Sequence, residues 1–393
     1  MAKDKYQFRA ETPGTEKYIH LNNAGSSLMP EPVMKSTTDY LLEEFHKGGY
    51  ETAADRQGDL DSFYQNCAEM LNAHPDEIAY TDSATTSWQR AFFSINWNHG
   101  DEIITGNAEY ASNYLSFLRL QQIFDVRIRI ASDNQWGETS AKNIAELVNS
   151  STKLIAITHM PTLNGLINPV EEIGRIAKSN GIIYLVDACQ SVGHIPLDVE
   201  KIGCDILSGT GRKYLRGPRG TGLLYVSVDI IPKLLPMSMD LFSSMWVSSD
   251  EFKLRKNAIK FEIFESNLAA KAGLSRAIRY YLDAGPENCF QMISELAVYL
   301  RNRLKMIKNV KLTDIGKNLS GIVCIEIPGK SPFEVSELLK KENIHVSAGA
   351  IQNSRLLFEK INVDEVLRIS VHYFNTKEEI DKCCQALERV LSE

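Results

Sequence analysis

Short apolar runs and amphipathic stretches alternate along most of this chain. Ile78 to Thr81 (IAYT), Asp101 to Thr105 (DEIIT), the run VRIRI, the run KLIAIT, Ile182 to Val186 and Asp205 to Leu207 are short and rich in β-branched residues, which predicts strands. After the turn DSATTSW a helix is predicted through Ile95, and ASNYLSF, AELV and EEIGRIAKSNG read as further helices. Strands alternating with helices argue a mostly parallel sheet with right-handed crossovers. From about Pro286 the rhythm changes to a helix over 290–306, strands over 310–313 and 321–327, a helix over 332–341, strands over 344–347 and 367–371, and a final helix. The predicted class is therefore α/β, a large domain with a mostly parallel seven-stranded sheet and a smaller α+β C-terminal domain. The division is 1–20 as a segment packing with the small domain, 21–285 as the large domain and 286–393 as the small one. A Pro-started helix runs from Glu31 to about Phe45, His46 to Arg56 reads as a glycine-bearing loop with an exposed Tyr50, and KFEIFESNLAAKAG opens a long helix.

Composition narrows the possibilities. A chain of 393 residues can bury a large core in two domains. Its 43 basic and 50 acidic residues leave it mildly negative, with no Lys/Arg block of the kind that tracks a phosphate backbone, so no nucleic-acid partner is expected. No apolar run has signal-peptide or membrane-span length, and a cytoplasmic location is expected. The seven cysteines carry no CxxC pair or His-spaced set; they read as reduced, mostly buried apolar residues, with no metal site.

The chemistry concentrates in GIIYLVDACQSVGHIPLDVEKIGCDILSGTGRKYLRGPRGTGLLY, from Gly181 to Tyr225. One predicted strand stops at Asp187; the next enters a Ser/Gly/Thr/Gly turn that Lys213 follows. Open α/β sheets collect catalytic groups at the carboxyl ends of strands. A lysine that anchors a cofactor as a Schiff base, and an acid that faces a pyridinium nitrogen, suit pyridoxal phosphate. Taken alone, an Asp at a strand end is more often a cap or turn residue. Ser83, Ala84 and Thr85 open the predicted helix, where free N–H groups and the helix dipole favour a phosphate, although Ser and Thr are ordinary caps as well. RGPRGTG lacks the Lys-Ser/Thr ending of a nucleotide loop.

The runs DACQSVGHIPLDV, GCDILSGTGRK and GPRGTGLLYV resemble the core of the class V aminotransferase and cysteine desulfurase group, and the likeness extends from LNNAG at Leu21 to RISVHYFNTKEEID ending at Asp381. The resemblance implies the fold type I architecture of pyridoxal phosphate enzymes and a homodimer with shared active sites. It implies that Lys213 anchors the cofactor and then acts as base, that Asp187 faces the ring nitrogen, and that Tyr110 replaces the histidine that stacks on the ring in relatives. By the same likeness Thr162 and Gln190 lie near the phenolate oxygen, and Thr210 and Arg212 beside the phosphate. Arg368, with Arg355 as a weaker second, would clamp the substrate carboxylate through its planar fork. Asn22 to Gly25, and so Asn23, Ala24 and Gly25, become substrate-side candidates, and Tyr50 would act across the dimer interface.

Between Val346 and Arg368, where desulfurases of this group place the thiol that accepts sulfur, the sequence has no cysteine, which argues against that activity. EYASN, PTLNG, TGRKYLRGPRGTG and FEIFE look most like the branch of hercynylcysteine sulfoxide lyase and isopenicillin N epimerase-like proteins. The expected reaction is β-elimination from an S-substituted cysteine or its sulfoxide, giving a sulfur product, pyruvate and ammonia, with Tyr110 or Tyr50 assisting the leaving group. An epimerase and an aminotransferase are the alternatives. A cofactor-binding protein without catalysis is disfavoured by the joint presence of Lys213, Asp187 and Arg368.

Overall fold

In the computed structural model, which describes residues 5–392, the alternating pattern closes into a seven-stranded sheet. The first four residues of the expected 1–20 segment, and Glu393, lie outside the described residues. The strands are β1 (Ile78–Thr81), β2 (Glu102–Thr105), β3 (Arg127–Ile130), β4 (Thr152–Thr158), β5 (Ile183–Asp187), β6 (Ile206–Thr210) and β7 (Gly222–Val226). Their order is β1-β7-β6-β5-β4-β2-β3, parallel throughout except for β7, which runs antiparallel to both of its neighbours. Every residue of β1, β2, β6 and β7 is buried, as expected for strands covered on both faces. Edge strand β3 instead carries exposed Arg127, which discourages pairing with another sheet.

Successive strand residues feed opposite cores. Val186 and Leu207 pack with Ile104, Ile155 and Tyr184 on one face, while Leu185 and Ile206 pack with Trp88, Phe92 and Phe117 on the other. Trp88, Phe92 and Phe117 come from two crossover helices, α1 (Ala84–Phe92) and α2 (Ala111–Phe124).

The C-terminal domain is built on an antiparallel sheet of Lys311–Leu312, Ile322–Glu326, Glu365–Ser370 and Ser347–Ala350, in that order. Near the start of the chain, Ile19–His20 pairs in parallel with Ile344–His345, and Asn22 bridges to Ser370. This carries residues 21–25 from the C-terminal domain towards the carboxyl edge of the large sheet.

Three local readings change. Gly49–Asp55 is a helix rather than a loop, anchored by buried Thr52 with Glu51 favourably placed in its first turn. The long helix α3 (Leu268–Ala284) starts later than KFEIFES: Asn267 caps it by accepting from the Ala270 N–H at 2.8 Å, and the preceding residues 258–261 form only a 3-10 turn. Ser244–Trp246 and Phe252–Leu254 pair as a small hairpin that the sequence pattern does not announce.

Candidate active site

Strands β5 and β6 are adjacent and parallel, so the residues that leave their carboxyl ends share one edge of the sheet. Asp187 ends β5; Lys213 follows the turn after β6; both are buried. Beyond Asp187 the chain turns back so that the Cys189 N–H donates to Asp187 Oδ1 at 2.8 Å. The Cys189 thiol then lies 3.2 Å from Lys213 Nζ.

A second buried acid stands behind Asp187. Asn113, on the first turn of α2, gives one hydrogen of its amide to Asp187 Oδ2 at 2.8 Å and the other to Glu109 Oε1 at 2.7 Å. Glu109 also accepts from the Tyr110 N–H at 3.0 Å, from the Thr158 hydroxyl at 2.5 Å and from the Thr105 hydroxyl at 3.1 Å. Burial pushes Glu109 up to about 7 even against these donors, and it raises Asp187 too, opposed by the Cys189 N–H, Asn113 and Lys213. One amide thus links two buried carboxyls.

Arg368 lies on the facing wall. Its guanidinium donates to Thr162 Oγ1 at 2.7 Å, to Thr162 O at 3.1 Å, to Ser347 Oγ at 3.0 Å and to Asn22 Oδ1 at 3.3 Å. All four acceptors are neutral, and among the described residues no carboxylate pairs with this arginine. Gln190 joins this wall to the acid–lysine side: its Nε2 donates to Thr162 Oγ1 at 3.3 Å and to Ala24 O at 3.1 Å, while its buried Oε1 has no partner.

The third wall is the start of α1. Ser83 caps it, accepting from the Thr86 N–H at 3.1 Å, with Ala84 and Thr85 in its first turn. Gly222 pairs with Thr81 on one side and with Thr210 on the other, bringing this helix start beside Thr210. A Cβ at Gly222 would stand 2.5 Å from the carbonyl carbon of Ser83, so only glycine permits this approach.

The sequence-predicted residues thus divide. Lys213 and Asp187 meet at Cys189, whose chain neighbour Gln190 bonds Thr162 and through it Arg368, and Ser83, Ala84, Thr85 and Thr210 converge through Gly222. Tyr110 sits at the head of α2 beside Glu109. Arg212 donates to the Gly25 carbonyl, tying the 21–25 segment to the lysine turn. Ala24 contributes backbone, its N–H bonding Ser370 Oγ at 2.9 Å. Asn23 is fully buried and turned away, its amide donating to Ser370 O at 2.8 Å; the side chain that reaches Arg368 belongs to Asn22. Arg355 is exposed and paired with Glu359 at 3.1 Å. Tyr50 is exposed too, beside Phe264, and lines a cavity of about 640 Å³ with Tyr64, Glu262, Glu265 and Lys271, apart from the lysine cluster. Glu109 and Cys189 were not singled out from the sequence. The four-residue spacing of Glu109 and Asn113 across a helix start was the available sign for the first; Cys189 carried none beyond its place after Asp187.

These residues fit pyridoxal phosphate. Gly222 lets the N-terminus of α1 pack close beside Thr210, and a helix start of this kind favours a phosphate. The unpartnered Gln190 Oε1 marks an unfilled polar position, and Asp187 and Lys213 supply the acid and amine that such a cofactor requires. Among the described residues no group of His, Cys, Asp or Glu could hold a metal ion.

Comparison with known proteins agrees. The family model for class V aminotransferases matches residues 19–383. A probable cysteine desulfurase of Methanothermobacter thermautotrophicus is 29% identical over 97% of both chains, and one of Borreliella burgdorferi is 29% identical over 96% of this chain and 93% of that protein. The apo structure of a cysteine desulfurase from Thermococcus onnurineus superposes with a TM-score of 0.93 at 26% identity, covering all of both chains. These relatives overturn the expected β-elimination from S-substituted cysteines or their sulfoxides: the sequence relatives that align with more than nine-tenths of this chain are named as probable cysteine desulfurases. The chain belongs to the class V aminotransferase family, with the fold type I architecture and the pyridoxal phosphate cofactor of that family.

Proposed function

We propose that this protein uses pyridoxal phosphate to remove the sulfur atom from free cysteine, in the manner of a cysteine desulfurase. The observation that carries the reading is the run of contacts from the Lys213 amine through Cys189, its chain neighbour Gln190 and Thr162 to the Arg368 guanidinium, which no carboxylate among the described residues pairs. An amino acid carries a carboxylate that complements the Arg368 guanidinium and an amine of the same chemistry as that of Lys213.

Bound pyridoxal phosphate supplies an electron sink for negative charge that develops at the substrate's Cα. Lys213 holds the cofactor and, once its amine is free, takes the proton from Cα. Asp187, held by Asn113 and the Cys189 N–H, would face the ring nitrogen of the bound cofactor. Arg368 receives the substrate carboxylate on its fork, and Asn22, Thr162 and Ser347 keep that fork planar to the substrate. Tyr110 closes one side of the site. The relatives support cysteine as the substrate.

The test is to supply L-cysteine to the cofactor-loaded protein and quantify alanine and pyruvate together. Alanine with little pyruvate is the expected result; pyruvate and ammonia in equal amounts without alanine would refute desulfuration. We also propose a homodimer, supported by the exposed apolar strip of Leu41, Leu42, Phe45, Tyr50 and Phe264. Sedimentation equilibrium at twice the chain mass is the expected outcome.

A further inference from the structure

Removing sulfur from cysteine with the electrons of the Cβ–S bond left on carbon requires a nucleophile that takes the sulfur. We infer that the Cys189 thiol is this acceptor. The inference rests on the proposed cysteine-desulfurizing reaction and assigns a residue role within it.

The argument begins with the inventory of thiols. Cys67, Cys204, Cys289, Cys324, Cys383 and Cys384 are all packed inside the hydrophobic core, where no substrate reaches them. Cys189 is the one cysteine of the seven that is partly exposed. It is also the one whose sulfur has a cation as hydrogen-bond partner, Lys213 Nζ at 3.2 Å. Burial raises the thiol and Lys213 opposes it, so the lysine amine is placed to take the thiol proton and to hold the resulting thiolate. The wall on which the thiol stands leads directly to the carboxylate clamp: the next residue, Gln190, bonds Thr162, which bonds Arg368, and the buried Gln190 Oε1 is unpartnered. A substrate amine competes with the Lys213 amine for one position, and the substrate sulfur is three bonds from that amine. Both ends of the substrate are therefore held by groups linked to Cys189.

The step balances without a further reactant. The Cys189 thiolate attacks the substrate sulfur and an S–S bond forms; the Cβ–S bond breaks with its electron pair remaining on Cβ, which takes up a proton to become the methyl group of alanine. The transferred sulfur is oxidised to the sulfane level, carbon is reduced, and Cys189 becomes a persulfide. Cysteine plus protein thiol gives alanine plus protein persulfide.

The experiment mixes cofactor-loaded protein with L-cysteine in the absence of any added thiol, quenches with iodoacetamide, and maps every cysteine peptide by mass while alanine and pyruvate are counted. The expected result is a burst of about one alanine per chain with about 32 Da added at Cys189 alone. Cys189→Ser and Cys189→Ala, checked for unchanged cofactor absorbance, lose both the burst and the mass. Alanine from the serine variant at the wild-type rate, or the added sulfur on another cysteine, overturns the assignment of Cys189 and leaves desulfuration standing. Absence of alanine from wild type overturns both. Should the variants fail to bind cofactor, the peptide map of the wild-type protein alone decides.

Discussion

Asn113→Ala is the perturbation most directly calculable from the structure, because one amide holds two buried carboxylates apart. In the wild type its amide nitrogen lies 2.7 Å from Glu109 Oε1 and 2.8 Å from Asp187 Oδ2. Hydrogen bonds to charged acceptors contribute roughly 1.5 kcal/mol or more each, so losing both costs about 3 kcal/mol when both acids are ionised. Glu109 is not ionised at every pH: burial raises its folded-state value to about 7 from 4.5. A raised carboxyl contributes stability that is fully present below the unfolded value and lost as pH rises through about 7. At about pH 6, Glu109 carries its proton, so its bond from Asn113 is no longer charge-assisted and the cost of the substitution is smaller by about 1.5 kcal/mol. At about pH 8.5 both are lost. With an unfolding entropy of about 2.1 cal/mol/K per residue over 393 residues, the melting temperature falls by ~2 °C at the lower pH and by ~4 °C at the higher. The assay is calorimetry of cofactor-free wild type and variant at the two pH values. An equal shift at both, or a larger one in acid, would refute the claim that Asn113 manages a neutral-range carboxyl behind Asp187.

Three other outcomes follow from the same geometry. Gly222→Ala drives the start of α1 away from Thr210 and weakens pyridoxal phosphate binding by about tenfold, ~1.4 kcal/mol, with the fold retained by circular dichroism; unchanged affinity in a fluorescence titration would remove this helix from the phosphate site. Arg368→Lys, which loses the fork but keeps the charge, raises KM for the amino acid by roughly 10- to 100-fold with a smaller change in kcat, while Arg355→Ala leaves both within about twofold; an inverted ranking would exchange their roles. Burial holds His159 down to about 4 and His194 to about 3 from 6.5, so both are neutral in the fold and their contribution, full above about 6.5, is lost as pH falls toward 4. Each costs about 2 kcal/mol between pH 7 and pH 5, and His194→Gln should flatten the acid limb of a melting-temperature profile. A parallel limb would show that other groups set it.

Much of the site was legible because it lies on strand ends. The apolar runs before Asp187 and Lys213, and the Ser83 cap before an amphipathic stretch, are local patterns that survive in any context with this sheet. The C-terminal domain was legible for the same reason, from strand and helix periods of ordinary length. Asn22 and Asn23 show where local reading stops: they are adjacent and chemically identical, and only the bridge between Asn22 and Ser370 decides which amide faces Arg368 and which is spent on backbone. Residues 48–56 show the same limit, since a short helix with two glycines near its start is settled by burial of Thr52 rather than by propensity.

The chain by itself therefore determined its class, its sheet-and-crossover rhythm and the strand-end places of the lysine and acid proposed for its cofactor chemistry, because period, caps and turn residues act over a few positions. Tertiary structure alone decided the company those residues keep. Glu109 behind Asp187, Cys189 against Lys213 and Arg368 facing neutral acceptors are contacts between elements far apart in sequence. Burial at those contacts changes the cost of charge, and no local pattern encodes it.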